Sequence, residues 1–199
     1  MPSTQFPRCS PSRRQWLAVT AFAIPGVAGV LTAADTKPAP VDPAQAEKFM
    51  RQALELARKG MENGDGGPFG CVIVKDGAVI GEGWNRVVST NDPTAHGEVV
   101  AIRETCTKNK NFSLKGCELY TTGEPCPMCL AAIYWARIDR VYYGFSCKDA
   151  ATIGFDDSFI YEQMNKPLAA RTIPEVQVLG TESFELLKKY AAKPNRVKY

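Results

Sequence analysis

Two short segments decide most of what this chain can become. The first, "PTAHGEVVAIRE", carries His96 and Glu98 two positions apart. The second, "EPCPMCLAAIYWAR", carries Cys126 and Cys129 three positions apart. Each sets its polar residues just ahead of a stretch with helical spacing: Val99, Ile102 and Cys106 in one, Met128 to Trp135 in the other. A helix start presents unpaired backbone N–H groups, and its positive end favours thiolate and carboxylate charge. A fold in which both helices begin at one place brings an imidazole and two thiolates together. Soft thiolates with imidazole suit zinc rather than magnesium or calcium. Three protein ligands leave the fourth tetrahedral position to water, the catalytic rather than the structural arrangement.

Glu98 sharpens this reading. It lies beside His96 but is not needed as a ligand, and a carboxylate next to a metal-activated water can accept a proton and return it to a leaving group. Other readings of the same residues exist. Cys126 and Cys129 as a redox pair would leave His96 and Glu98 without a role. A structural zinc would need a fourth ligand, which Cys117 or Cys147 could supply. Cys71 and Cys106 fall within apolar patterns and read as core.

The remaining sequence frames these segments. Asp42-Pro43 is a helix start, an acidic cap followed by proline at the first helical position, and the helix runs to Gly60. "ENGDGGPFG" is a turn-rich loop. "CVIV" and "AVIGEGWN" are strands joined across Asp76-Gly77, a hairpin signal. "CELYTT", "ARIDRVYYGF" and "EVQVLG" read as further strands, and "FDDSFIYEQM" and "SFELLKKYA" as helices. Strands interleaved with helices predict a three-layer α/β/α sandwich, with a central mixed sheet of about five strands and helices on both faces.

Of the 24 basic residues, Arg8, Arg13 and Arg14 precede residue 35, and no acidic residue does. The rest is formally neutral, with 21 acidic residues in all, so the body lacks the basic footprint of a nucleic-acid binder. The pattern Ser12-Arg13-Arg14-x-x-Leu17, an apolar run to Leu31 and small residues at Thr32-Ala33-Ala34 read as a twin-arginine signal peptide over 1–34. The run is interrupted by Pro25-Gly26 and is too short for a stable span. A linker over 35–44 then leads to one domain, 45–199. This predicts an exported, periplasmic protein if the signal is processed, and a cytoplasmic one if not.

The order His96-x-Glu98 followed by Pro125-Cys126-x-x-Cys129 is the signature of zinc deaminases. From about Met50 to Tyr199 the sequence resembles the cytidine-deaminase-like superfamily and, within it, the bacterial guanine deaminases. "GPFGCVIVKDG", "STNDPTAH", "GFDDSFIYEQMNKP" and "RTIP" carry the likeness to that branch. The resemblance implies hydrolysis of guanine to xanthine and ammonia, with one zinc per subunit on His96, Cys126 and Cys129. It implies Glu98 as the proton shuttle and Asp157 as a helper at the departing amino group. Asn85 would hydrogen-bond the purine ring, Phe69 would line the base pocket, and Tyr199 would reach the neighbouring site of a homodimer through a swapped C-terminal segment. Beside the resemblance, Trp135 offers a further aromatic wall for the ring. Each has a plainer alternative: Asn85 a turn residue, Phe69 and Trp135 core, Asp157 a helix cap (as Asp156 also could be) and Tyr199 a loose end. A transfer-RNA adenosine deaminase, a deaminase of cytosine or ammeline, and a zinc-stabilised binding subunit are the competing functions. The last leaves Glu98 idle. The chain departs from its relatives in carrying Gly97 where they have alanine, and in its N-terminal extension.

Overall fold

A computed structural model describes residues 42–198. The signal segment, most of the linker and Tyr199 lie outside the described residues. Helix α1 (Pro43–Glu62) starts as the sequence requires: the Asp42 carboxylate accepts from the Ala44 N–H, and Pro43 begins the first turn. It runs two residues past Gly60. Strands β1 (Gly70–Lys75) and β2 (Ala78–Trp84) form an antiparallel hairpin. Asp76 and Gly77 both take positive φ, 49° and 75°, which is what a two-residue turn matched to strand twist needs.

The short helix α2 (Val87–Thr90) lies in what the sequence presents as a loop. Helix α3 (Gly97–Asn109), strand β3 (Cys117–Gly123), helix α4 (Pro127–Ala136) and strand β4 (Arg140–Phe145) follow. The sheet order is β2-β1-β3-β4, antiparallel except for the parallel β3–β4 pair. Side chains on β1 divide by parity. Cys71 and Ile73 join Ala101, Leu119 and Ile133 on the α3–α4 face, while Val72 and Val74 pack with Phe49 and Tyr120 under α1. Burial on both faces explains why β1 reads as an unbroken apolar run. Layers of helix, mixed sheet and helix make the expected three-layer sandwich.

Helices α5 (Cys147–Ala151), α6 (Ser158–Asn165) and α7 (Gly180–Ala191) complete the chain, with a 3₁₀ turn at Leu168–Ala170. One expectation fails here. "EVQVLG" has the alternation of a strand, but residues 174–178 run without a ladder and the described sheet has four strands. Val176 and Val178 are 80% and 72% exposed. Alternation specifies which face a strand would bury, and only a neighbouring edge makes it one. Between residues 158 and 191 no residue is buried. Among the described residues no helix is long and apolar enough to cross a membrane.

Candidate active site

The first ligand is delivered by a tight turn. The Asp92 carboxylate accepts from the Thr94 N–H at 2.8 Å and the Thr94 hydroxyl at 2.6 Å, and Arg103 donates to it from the side of α3. The chain then reaches His96 in extended conformation and turns into α3. Cys126 repeats this arrangement at α4: it is extended, and Pro127 follows at the first helical position. His96 and Cys126 thus both occupy helix-cap positions without making a side-chain cap, which leaves their donor atoms free for another purpose. Cys129 stands one turn into α4 and is fully buried.

The three donor atoms lie within 4.8 Å of one another, the only such group among the described residues. His96 Nδ1 is 3.6 Å from both Cys126 Sγ and Cys129 Sγ. A tetrahedral zinc with Zn–S about 2.3 Å and Zn–N about 2.0–2.1 Å would separate sulfur from nitrogen by roughly 3.5 Å. The donor set and its spacing therefore fit a metal of zinc's size and softness. Neither Cys117 nor Cys147 joins the cluster, so the three-ligand alternative is the one the geometry keeps.

Hydrogen bonding among the three donors and burial set their proton affinities. Cys126 is pulled down to about 4, chiefly by the hydrogen bond from Cys129 and further by that from His96. Cys129 is pushed upward by the same sharing, since it holds the proton, and by burial. His96 is raised, first through its hydrogen bond to Cys126. Glu98 is 4% exposed, and its burial lifts the carboxyl above the ordinary range. The Thr121 hydroxyl donates to Glu98 Oε1 at 3.1 Å, and the Cys129 thiol to Oε2 at 3.4 Å.

Above this corner lies a cavity of about 240 Å³, lined by Phe69, Asn85, His96, Glu98, Cys126 and Asp157 among others. Its size is below the ~300 Å³ at which drug-sized pockets begin, so it suits a single ring system. The Asn85 N–H donates to the Phe69 carbonyl at 2.8 Å, which couples two of its walls. Asn85 Oδ1 accepts from the Val87 N–H at 3.1 Å, and the residue lines the cavity. The side chain therefore serves both the turn and the site. Asp156, not Asp157, accepts from the Ser158 N–H at the start of α6. Asp157 is thereby left to the cavity, where burial, followed by the nearby Cys126 charge, raises its carboxyl.

Residues 43–145 match the family described as the cytidine and deoxycytidylate deaminase zinc-binding region. The guanine deaminase of Bacillus subtilis is 52% identical over 153 residues, 77% of this chain and 98% of that protein. The chain belongs to the guanine deaminase family. The solved structure of the Bacillus subtilis protein superposes with a TM-score of 0.74. A solved guanine deaminase from Nitrosomonas europaea is 28% identical, covers 83% of this chain and 100% of its own, and gives a TM-score of 0.54. A tRNA-specific adenosine deaminase of Haemophilus influenzae is 44% identical over 117 residues, 56% of this chain and 67% of that protein.

In this guanine deaminase family member one expected wall residue lies elsewhere. Trp135 is 64% exposed and lines a separate apolar groove of about 690 Å³, with Phe112 and Met128, rather than the cavity over the cluster. Six positions along a helix turn a side chain through about 240°, so Cys129 and Trp135 cannot both face inward. The larger groove holds none of the three donor residues and is not where the chemistry sits. Phe155 and Glu124 are among the lining residues that the sequence does not single out. Phe155 packs edge-on to Phe69 at 5.0 Å between centroids. Glu124 lines the cavity and accepts from the Cys147 N–H at 2.9 Å, tying the loop before α4 to α5. Both stand inside quoted motifs, "GFDD" and "EPC", and that adjacency was the available signal. Gly97 has a packing consequence: a β-carbon there would stand 2.9 Å from the Phe69 carbonyl oxygen, so glycine lets this wall approach α3 more closely.

Proposed function

We infer that this chain hydrolyses guanine to xanthine and ammonia, using one zinc ion per subunit held by His96, Cys126 and Cys129. The observation that carries this reading is the buried Glu98 carboxylate, beside a three-donor corner at the floor of a ring-sized cavity. Zinc bound there supplies a water that ionises near neutral pH. Glu98 takes a proton from the attacking water and passes it to ring N3. Its raised proton affinity suits a group that must hold the proton between those steps. Asp157, at the cavity wall, helps deliver a proton to the departing amino nitrogen. The Asn85 amide nitrogen donates to an acceptor on the ring edge, and Phe69 supplies an apolar wall.

The tRNA-directed relative is similar over little more than half of this chain, whereas the likeness to the Bacillus subtilis guanine deaminase covers 77% of it. A neutral body agrees with a free base as substrate rather than nucleic acid. The test is ammonia release by zinc-loaded protein offered guanine, adenine, cytosine, ammeline or a transfer-RNA anticodon stem. Guanine should be turned over far faster than the rest; preference for the stem would transfer the chain to the RNA-editing class.

The active form in this reading is a homodimer. Phe184, Leu186 and Leu187 on α7 are 55%, 69% and 59% exposed, and an amphipathic helix with a bare apolar face needs a partner surface. Tyr199 would then complete the neighbouring subunit's site. Deleting residues 195–199 is expected to raise KM or lower kcat while leaving zinc content and Tm unchanged. Mixing this deletion with a Glu98→Ala chain should restore activity in hybrids. Sedimentation of a fully active monomer would count against the dimer.

Export by the twin-arginine route completes the reading. Mass spectrometry of protein from a periplasmic fraction should find a chain that begins at about residue 35. A full-length N-terminus in the cytosol would place the enzyme there instead.

A further inference from the structure

We propose that Thr121 is a positioning residue that fixes one oxygen of Glu98 so that the other carries the proton. The proposal rests on the guanine deaminase reading above for its turnover measurements, and on geometry alone for the contact. Strand β3 alternates, and Thr121 shares the α3–α4 face with Cys117 and Leu119, both core residues. It is 1% exposed. Valine has the same branched shape without a hydroxyl to desolvate, so packing alone would favour valine at this position. The hydroxyl has one partner, Glu98 Oε1, at 3.1 Å.

The second contact to Glu98 is of a different kind. Cys129 Sγ donates to Oε2 at 3.4 Å, but a cysteine that ligates a metal has given up its proton. With metal bound, Thr121 is the one side-chain donor to Glu98 that remains among the described contacts. Oε1 is then anchored to the middle of the sheet, and Oε2, on the side of the metal corner, is the oxygen left to exchange a proton. The anchor is stiff. β3 is flanked by β1 and β4, and the adjacent Thr122 hydroxyl accepts from the Gly70 N–H and donates to the Pro68 carbonyl, each at 3.1 Å. A carboxylate that must meet two atoms in succession gains from having one oxygen fixed, because a hydrogen bond to an ionised group is strong and directional.

The experiment compares Thr121→Val and Thr121→Ser in the zinc-loaded full chain. Loss of a hydrogen bond to a charged group predicts that Thr121→Val lowers kcat roughly 10–100-fold with KM within about twofold of the parent. Thr121→Ser keeps the hydroxyl and should hold kcat near the parent value, and zinc content should be equal in all three. A readout independent of turnover is the infrared carboxyl band of Glu98, identified by difference from Glu98→Gln. Thr121→Val should shift it and Thr121→Ser should not. If Thr121→Val does not fold, Thr121→Ala removes the same hydroxyl and is read the same way. Parental kcat with an unmoved band overturns the proposal. A parent inactive on guanine would instead overturn the substrate reading, while the band still decides the contact.

Discussion

Glu98→Gln should abolish most turnover while leaving the metal in place. Glutamine keeps the volume and still offers Thr121 an acceptor, so the cavity floor stays filled, but it cannot take up and return a proton. Proton transfer by a placed side chain is worth typically ~10²–10⁴-fold, and a drop in kcat of that order is expected at matched zinc content. Comparable kcat in variant and parent would assign Glu98 to structure. A second consequence runs the opposite way. Burial raises the Glu98 carboxyl in the folded state, so protonated Glu98 favours folding at acid pH, and that contribution is lost as pH rises through the folded-state value. In the metal-free protein, Glu98→Gln should therefore melt at or above the parent temperature at neutral pH. The difference should vanish below the ordinary carboxylate range. A site that is less stable than its neutral substitute is the signature of a group kept for chemistry.

Cys126→Ser and Cys129→Ser should each strip the metal. Serine presents a hard hydroxyl that stays protonated where a soft thiolate is wanted. Removing a hydrogen-bond partner behind a ligand already costs about 10–100-fold in metal affinity, and loss of the ligand itself should exceed that. Elemental analysis after dialysis against a chelator should find about one zinc per parent chain and almost none in either variant, with guanine turnover falling in parallel. Full retention in both would remove the metal reading altogether. A thiol gives up its proton when it ligates, so metal binding should release protons from the cluster. Calorimetry in buffers of different ionisation heat reads that release in the parent chain.

Local chemistry made most of the working site legible. His96, Glu98, Cys126 and Cys129 were readable because each sits at or within one turn of a helix start, and helix starts announce themselves through proline, spacing and charge. The Asp76-Gly77 hairpin was readable because both positions need positive φ. Trp135 was not, because α4 is apolar on every side from Met128 to Trp135, and no periodicity tells which face the sheet will cover. Phe155 and Glu124 reach the cavity only through tertiary approach, Phe155 against Phe69 and Glu124 through α5. Asp156 and Asp157 are neighbours with equal claim to cap α6. The backbone alone decides that Asp156 makes that bond and Asp157 faces inward.

The unpaired stretch at residues 174–178 has a consequence for handling the protein. Strand β4 ends the described sheet, and residues 174–178 of the same chain pair with no strand among the described residues. Such a chain is its own complement. Two copies that exchange segments reciprocally close into a finite pair, whereas copies that pass them head to tail form a string with no natural end. Refolding from denaturant should then set closure against polymerisation. Rapid concentration favours the string, and slow dilution at low protein concentration favours the pair.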